Sequence, residues 1–300
     1  MARIVLVGEA MLELSRRSEG WQLGYGGDTL NMAVHLARTG HDVAYLTALG
    51  SDPLSAQLKE ELAREGLDVS LLLDHPDRST GLYAITTDAT GERSFSYWRD
   101  TSAARDMFSL PAMSAALAEA GRAEFVCFSL ISLAVLPPRD RERLLSLARA
   151  IGERGGKVVF DGNYRARLWQ SSDEARAARD AAIGIAHIGL PTLEDEAMLS
   201  GEADAEAVAE HWASLGCGEV IVKLGAAGCR LPDGRVLPPP EVLQPVDTSG
   251  AGDAFNSGYL AARIRGESPE AAARAGHALA GWCVMRSGAI PARDGSAPYA

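Results

Sequence analysis

A chain of 300 residues can bury a large core without covalent staples, and its 29 Lys and Arg against 40 Asp and Glu leave a formal charge of −11. A net-acidic surface repels phosphate backbones and anionic lipid, which excludes nucleic acid and membrane as expected partners and requires any bound anion to find a local positive site. The four cysteines, Cys127, Cys217, Cys229 and Cys283, form no CxxC pair and no Cys/His cluster, which argues against zinc and disulfides and for a reducing compartment. The opening MARIVLVGEAMLEL is a short apolar strand broken by Gly8 and Glu9 rather than a signal peptide, and no apolar run reaches membrane-spanning length. The expectation is a soluble cytoplasmic protein.

In chain order the pattern reads as a strand at 3–7, a helix at 29–39, a strand at 42–47 and a helix at 53–65. Then come a helix at 111–120, a strand at 124–128, a helix at 138–154 and a strand at 157–160. A helix at 173–182, a strand at 186–189, a helix at 205–215 and a strand at 219–223 follow. Ser268 as N-cap and Pro269 at the first helical position open a last helix that carries through 271–286. Strand–helix alternation of this kind predicts an α/β fold, with a mostly parallel sheet covered on both faces. Two segments break the rhythm. Residues 9–25 carry no helix signal, and TGLYAITTDATGERSFSYWR alternates on either side of a turn at DATGE. Both read as β-hairpins outside the main sheet, either a small lid from about 9–25 and 80–100 or surface hairpins without a role. No repeat, linker or low-complexity segment divides the chain, so 1–300 reads as one domain with that lid.

The stretch PVDTSGAGDAF sets the small residues Ser249, Gly250, Ala251 and Gly252 ahead of an apolar helix. A helix N-terminus exposes unpaired N–H groups and partial positive charge, and small residues let an anion approach them. No Lys-Ser/Thr follows, so this is not a Walker A loop, and Phe255 replaces the third glycine of GxGxxG. The informative residue is Asp253. A carboxylate beside a phosphate seat repels the ligand unless it works as a general base; by itself Asp253 reads equally as a cap after a glycine turn.

DTSGAGDAFNSGYLAA resembles the C-terminal signature of the ribokinase-like, phosphofructokinase-B-type sugar kinases, and GYGGDTLNMAVHLARTG resembles their N-terminal signature. ALGSD and VVFDGNYR lie between them in the family's order, so the resemblance spans essentially the whole chain. It implies a three-layer α/β/α fold with a mostly parallel central sheet and a small β lid. It implies ATP-dependent phosphorylation of a sugar hydroxyl, with the amides from Gly250, Ala251 and Gly252 to Asp253 as anion hole and Asp253 as base. Lys223, Leu224, Gly225, Ala226, Ala227 and Gly228 would run along the nucleotide, with Asn163 and Arg165 near its phosphates. Glu194 stands where the family's Asn-x-x-Glu motif organises Mg2+ through water, but Pro191 replaces the Asn, so Asp195 or Glu196 could share the role. A monovalent cation such as K+ would lie near Asp247, Thr248 and residues 288–290, and the lid would pair subunits into a homo-oligomer.

The substrate side departs from neutral-sugar kinases, because GEAMLELS offers Glu9 and Glu13 where an Asn-x-Asp segment is usual. Tyr83, Tyr97, Arg99 and Arg165 gather around the implied sugar site, and a guanidinium fork suits a sugar acid's carboxylate. The alternative is that both arginines pair with acids of the protein. GGDTLN, TDATGERSFSYWR and NYRARLW resemble the branch of the family that acts on 2-keto-3-deoxygluconate. That branch implies substrate contacts from Gly27, Asp28, Thr29, Leu30, Asn31, Tyr83, Tyr97, Trp98, Arg99, Arg165 and Asp253, with Arg105 buttressing the lid. Kinases for 2-keto-3-deoxygalactonate, fructose or ribose are the rival readings, as is a non-catalytic sugar-acid sensor, against which the intact Asp253 counts. His35, Trp169, Trp282, Met11 and Met32 read as packing residues, and His277 as packing or an adenine neighbour.

Overall fold

The computed structural model describes residues 3–17, 20–87 and 93–299. The predicted DATGE turn lies outside them. The first strand, β1 (Arg3–Val7), is apolar from Ile4 to Val7, and all four residues are fully buried, as expected for a strand covered on both faces. The chain then forms β2 (Met11–Arg17) and β3 (Gly20–Gly26), and returns through α1 (Asp28–Arg38) to β4 (Asp42–Gly50). Next come α2 (Pro53–Arg64), β5 (Leu72–His75), β6 (Gly81–Thr87), β7 (Arg93–Trp98) and α3 (Met113–Ala120). The alternation resumes with β8 (Phe125–Ser129), α4 (Leu130–Val135), α5 (Pro138–Glu153), β9 (Lys157–Asp161), α6 (Ser172–Ile183) and β10 (Ile188–Gly189). α7 (Leu193–Ser200), α8 (Ala205–Ser214) and β11 (Glu219–Val220) follow. Three short strands, β12 (Val222–Lys223), β13 (Cys229–Arg230) and β14 (Val236–Leu237), precede α9 (Ala251–Ile264) and α10 (Pro269–Val284).

Seven strands form the main sheet in the order β11-β10-β9-β8-β1-β4-β5, every pairing parallel. Alternate residues of each strand enter opposite cores, as the two-residue period of a strand demands. Val5, Val7, Leu46, Val126, Phe128 and Phe160 pack on one side with Leu144, Ile151, Ile183 and Trp212 of α5, α6 and α8. Ile4, Leu6, Tyr45, Cys127 and Val159 pack on the other with Leu30, Leu36, Leu62, Tyr259 and Leu260 of α1, α2 and α9. The result is the three-layer α/β/α arrangement. The chain runs outward from β1 through β4 to β5, then returns to β8 and runs outward the other way. The order therefore reverses between β1 and β8, and the crevice at their carboxyl ends is where such folds bind ligands.

The small sheet has the order β3-β2-β6-β7. The two predicted hairpins are present among the described residues, and the parallel pairing of β2 with β6 joins them into one sheet. The predicted strand at 219–223 divides at Ile221, β11 staying in the main sheet while β12 joins the three-stranded sheet β12-β13-β14. α4 was not foreseen because LISLAV is apolar nearly all round and has no amphipathic period. Its start is set instead by the Ser129 capping box with Ser132.

Candidate active site

The carboxyl ends of β8 and β9 and the first turns of α1 and α9 meet at the crevice. Ser129, the last residue of β8, donates its hydroxyl to Asp28 at the start of α1, and Asn163 Nδ2 donates to the same carboxylate at 3.3 Å. Asp161, the last residue of β9, accepts from Lys223 Nζ at 2.9 Å and from Asn256 Nδ2 at 3.0 Å. Asn31 Nδ2 donates to Asp253 Oδ2 at 2.7 Å, joining the two helices whose glycine turns face each other. Of the three carboxylates Asp28, Asp161 and Asp253, only Asp161 is thus bonded to an ammonium.

This imbalance shows in the acidities. Burial, followed by the charge of Asp28, pushes Asp253 up to about 8; the Asn31 hydrogen bond and Lys223 offset only part of that rise. Burial likewise raises Asp28 above its ordinary value against the hydroxyl of Ser129. A void of about 10 Å3, room for roughly one water, lies behind the carboxylates between Asp28, Asp161, Asp253, Cys127 and Leu190. Two amide oxygens, Asn31 Oδ1 and Asn256 Oδ1, are buried without a hydrogen-bond partner. Buried orphans of this kind are rare unless a ligand completes them.

Gly250 caps α9 in the left-handed conformation (φ +67°), and a Cβ there would lie 2.6 Å from Ala289 Cβ. No side chain caps this helix; Ala251 N donates to Thr248 O at 3.3 Å, which leaves the N–H groups of Gly252 and Asp253 to face the crevice. Asp247 shapes the loop before it, accepting from Ser249 N at 2.9 Å and Gly288 N at 2.6 Å. Lys223 Nζ lies beside the turn, 3.7 Å from where a Cβ on residue 252 would stand. Beyond Lys223 the strip opens to the surface: Leu224 N donates to Gly228 O at 2.8 Å, while Gly225, Ala226 and Ala227 are exposed.

The small sheet supplies the opposite wall. Glu13, Tyr83 and Tyr97 are in register across β2, β6 and β7. The Tyr83 hydroxyl donates to Glu13, and the Tyr83 and Tyr97 rings stack at 5.8 Å. Tyr83 is what requires the first glycine of the Gly-Gly pair: a Cβ on Gly26 would stand 2.4 Å from its Oη and 3.6 Å from Asn31 Oδ1. The second, Gly27, has φ +146° and would place a Cβ 2.3 Å from the Glu9 carbonyl. Thr29 bonds Tyr45 Oη at 2.9 Å and lines the small void behind the carboxylates, while Leu30 is fully buried in the core and builds the start of α1. Trp98 is exposed on the face of β7 opposite Tyr97.

Both arginines singled out by the sequence have acid partners. Arg99 forms a buried ion pair with Glu9, itself bonded by Ser102. Arg165 Nη1 meets Asp195 Oδ1 at 3.1 Å and the Tyr164 carbonyl at 2.6 Å. Glu196 faces the core, held by Arg179 at 2.5 Å and Trp212 Nε1 at 3.1 Å, which leaves Glu194 as the exposed carboxylate of the three. His277 packs at 5.1 Å on Phe255 and bonds Leu237 O at 3.2 Å. Sequence reasoning missed Asp161, Asn256, Ser129 and Arg167. Of these, Asn256 carried a usable signal, because it lies three residues after Asp253 on the same helical face.

The sequence matches the pfkB family carbohydrate kinase family over residues 1–294. The chain belongs to that family of carbohydrate kinases. The 2-dehydro-3-deoxygluconokinase of Dickeya dadantii (strain 3937) is 40% identical to this kinase over 297 residues, 96% of each chain. The Escherichia coli K12 protein of the same name is 40% identical over 302 residues, 97% of this chain and 98% of that one. The structure of aminoimidazole riboside kinase from Salmonella enterica, solved with aminoimidazole riboside and an ATP analog, matches with a TM-score of 0.81 and 26% identity, covering 96% of this chain and 95% of that one. The kinase therefore has the ribokinase-like fold.

Proposed function

We propose that this kinase transfers the terminal phosphoryl group of ATP to the terminal hydroxyl of 2-keto-3-deoxygluconate, giving 2-keto-3-deoxy-6-phosphogluconate and ADP. The observation that carries the reading is Asp253, buried at the mouth of an uncapped helix N-terminus and bonded to Asn31. A carboxylate there can take the proton of an attacking hydroxyl, while the adjacent amides and Lys223 meet the charge that develops on the transferred group. Its raised pKa matches that task, since a base works best near the operating pH. The unpaired Asn31 Oδ1 is placed to accept a substrate hydroxyl, with Asp28 beside it. The small sheet would close over the sugar and exclude water.

The strip from Leu224 to Gly228, exposed at Gly225, Ala226 and Ala227, gives ATP an open edge, and Arg165 and Asn163 flank its phosphate end. Glu194, exposed and without a hydrogen-bond or ion-pair partner among the described residues, fits a role in holding Mg2+ through water. When bound, Mg2+ neutralises phosphate oxygens. The loop tied by Asp247 to Ser249 and Gly288 is where a monovalent cation would sit. The outer face of the small sheet exposes Trp21, Leu23 and Trp98, and supports a second copy of the chain docking there.

The test is incubation with Mg-ATP and the keto-acid, followed by ADP release and 31P NMR of the product. Stoichiometric ADP with a primary phosphate ester supports the reading. Binding of the keto-acid without ADP release would make the protein a sensor instead.

A further inference from the structure

Resting on that substrate reading, we propose that Arg167 is the specificity-determining residue that receives the carboxylate of the sugar acid. Arg167 lies in a short 3-10 turn, Ala166–Leu168, two residues beyond Arg165, and is exposed. Its guanidinium carbon stands 3.5 Å from the centroid of the Tyr97 ring. Among the described residues no carboxylate or carbonyl is paired with it, in a chain where acids outnumber bases 40 to 29. The neighbouring arginines are committed: Arg99 to Glu9 and Arg165 to Asp195.

The geometry suits a carboxylate receptor. Contact with a ring uses the face of the guanidinium and leaves the N–H edge free, and that edge is the fork that matches a carboxylate with two parallel hydrogen bonds. Tyr97 fixes the plane, so little freedom is lost when an anion docks. Position agrees with chemistry. From Arg167 the wall runs through Tyr97 to Tyr83 at 5.8 Å, on to Gly26, whose open side faces both the Tyr83 hydroxyl and Asn31 Oδ1, and from Asn31 to Asp253 at 2.7 Å. The cation and the base therefore stand at opposite ends of one wall. A sugar acid carries its carboxylate and its terminal hydroxyl at opposite ends of one carbon chain. The same contact spans two parts of the fold, since Tyr97 belongs to the small sheet and Arg167 to the loop after β9. Carboxylate binding at this point would hold the two parts together over the substrate.

The test is steady-state kinetics of the full-length kinase with 2-keto-3-deoxygluconate and with fructose, comparing wild type, Arg167→Met, Arg167→Lys and Tyr97→Phe. Arg167→Met is expected to raise KM for the acid about 10- to 100-fold, the worth of a charge-assisted pair, with the loss in KM rather than kcat and KM for ATP unmoved. Arg167→Lys should recover only part of it, lacking the fork, and Tyr97→Phe, which keeps the ring under the guanidinium, should lower kcat/KM for acid and fructose by similar factors through its lost hydroxyl. Melting temperatures within about a degree of wild type would confirm that an exposed side chain was changed without loss of fold. The inference is overturned if Arg167→Met keeps KM for the acid within twofold, or if acid and fructose lose equally. A wild-type kinase that does not prefer the acid sinks the substrate reading itself. A wild-type preference that survives Arg167→Met sinks only this assignment and passes the carboxylate to Arg99 or Arg165.

Discussion

The two ends of the seven-stranded sheet are built on opposite principles. At the amino ends of β8 to β11 lies the larger cavity, about 810 Å3, between Phe125, Lys157, His187 and Glu219. One of its acids is fully engaged: Arg263 grips Glu219 at 2.7 and 2.9 Å, and Tyr259 Oη adds a third bond at 2.7 Å, while its other charges, Arg149, Glu153 and Lys157, are exposed to solvent. Helix carboxyl termini also gather at this end, and their dipoles repel anions. At the carboxyl ends the void is tiny, yet the buried Asp161 and Asp253 and the half-buried Asp28 lie together with one lysine, bonded to Asp161, and a helix begins uncapped. Volume alone would have chosen the wrong end. Buried charge and buried, unspent hydrogen-bonding groups choose the other, as expected where chemistry is done at a cost in stability.

The sharpest break in that comparison is Asp253→Asn. Turnover should fall by about 10^2- to 10^4-fold, the usual worth of a general base, while ATP binding by calorimetry persists. The same substitution should stabilise the fold. The folded state keeps a proton on Asp253 up to about pH 8, whereas an unfolded Asp releases it near pH ~4. Ionising it therefore costs stability as pH rises across that window. The melting-temperature advantage of Asp253→Asn over wild type should be small at pH 5 and grow toward pH 8; an advantage that shrinks with pH contradicts the assignment.

Gly250→Ala comes next. It puts a Cβ into the left-handed turn and against Ala289, so it should cut kcat about tenfold or more by shifting the first-turn amides, with KM for the sugar changing less. A matched change at the other end sharpens the contrast. Glu219→Gln should cost about 1–3 kcal/mol of stability through the bonds of Arg263 and Tyr259, and leave kcat and both KM values as they were. The smallest effect expected is on assembly: Trp98→Glu should weaken self-association in sedimentation velocity without altering the activity of the monomer.

How much of this was legible depends on how far apart the partners are in sequence. β1, α1 and the glycine turn before α9 are local patterns, and apolar runs, caps and small residues announce them. The register that zips two hairpins into one sheet is carried by backbone bonds between residues some seventy positions apart, with no local sign. The same limit hid Asp161: its bonds reach Lys223 and Asn256, and neither spacing marks a motif. Arginine was the least legible type. Arg99, Arg165 and Arg167 look alike in the sequence, and only the fold shows that two have acid partners while the third lies on a ring.

The most direct measurement is the ratio of kcat/KM for 2-keto-3-deoxygluconate to that for fructose in the unaltered kinase. A preference of at least about a hundredfold for the keto-acid is predicted, because a site holding a guanidinium for a carboxylate rejects a ligand that leaves it unpaired. A ratio near one, or a preference for fructose, would contradict the account.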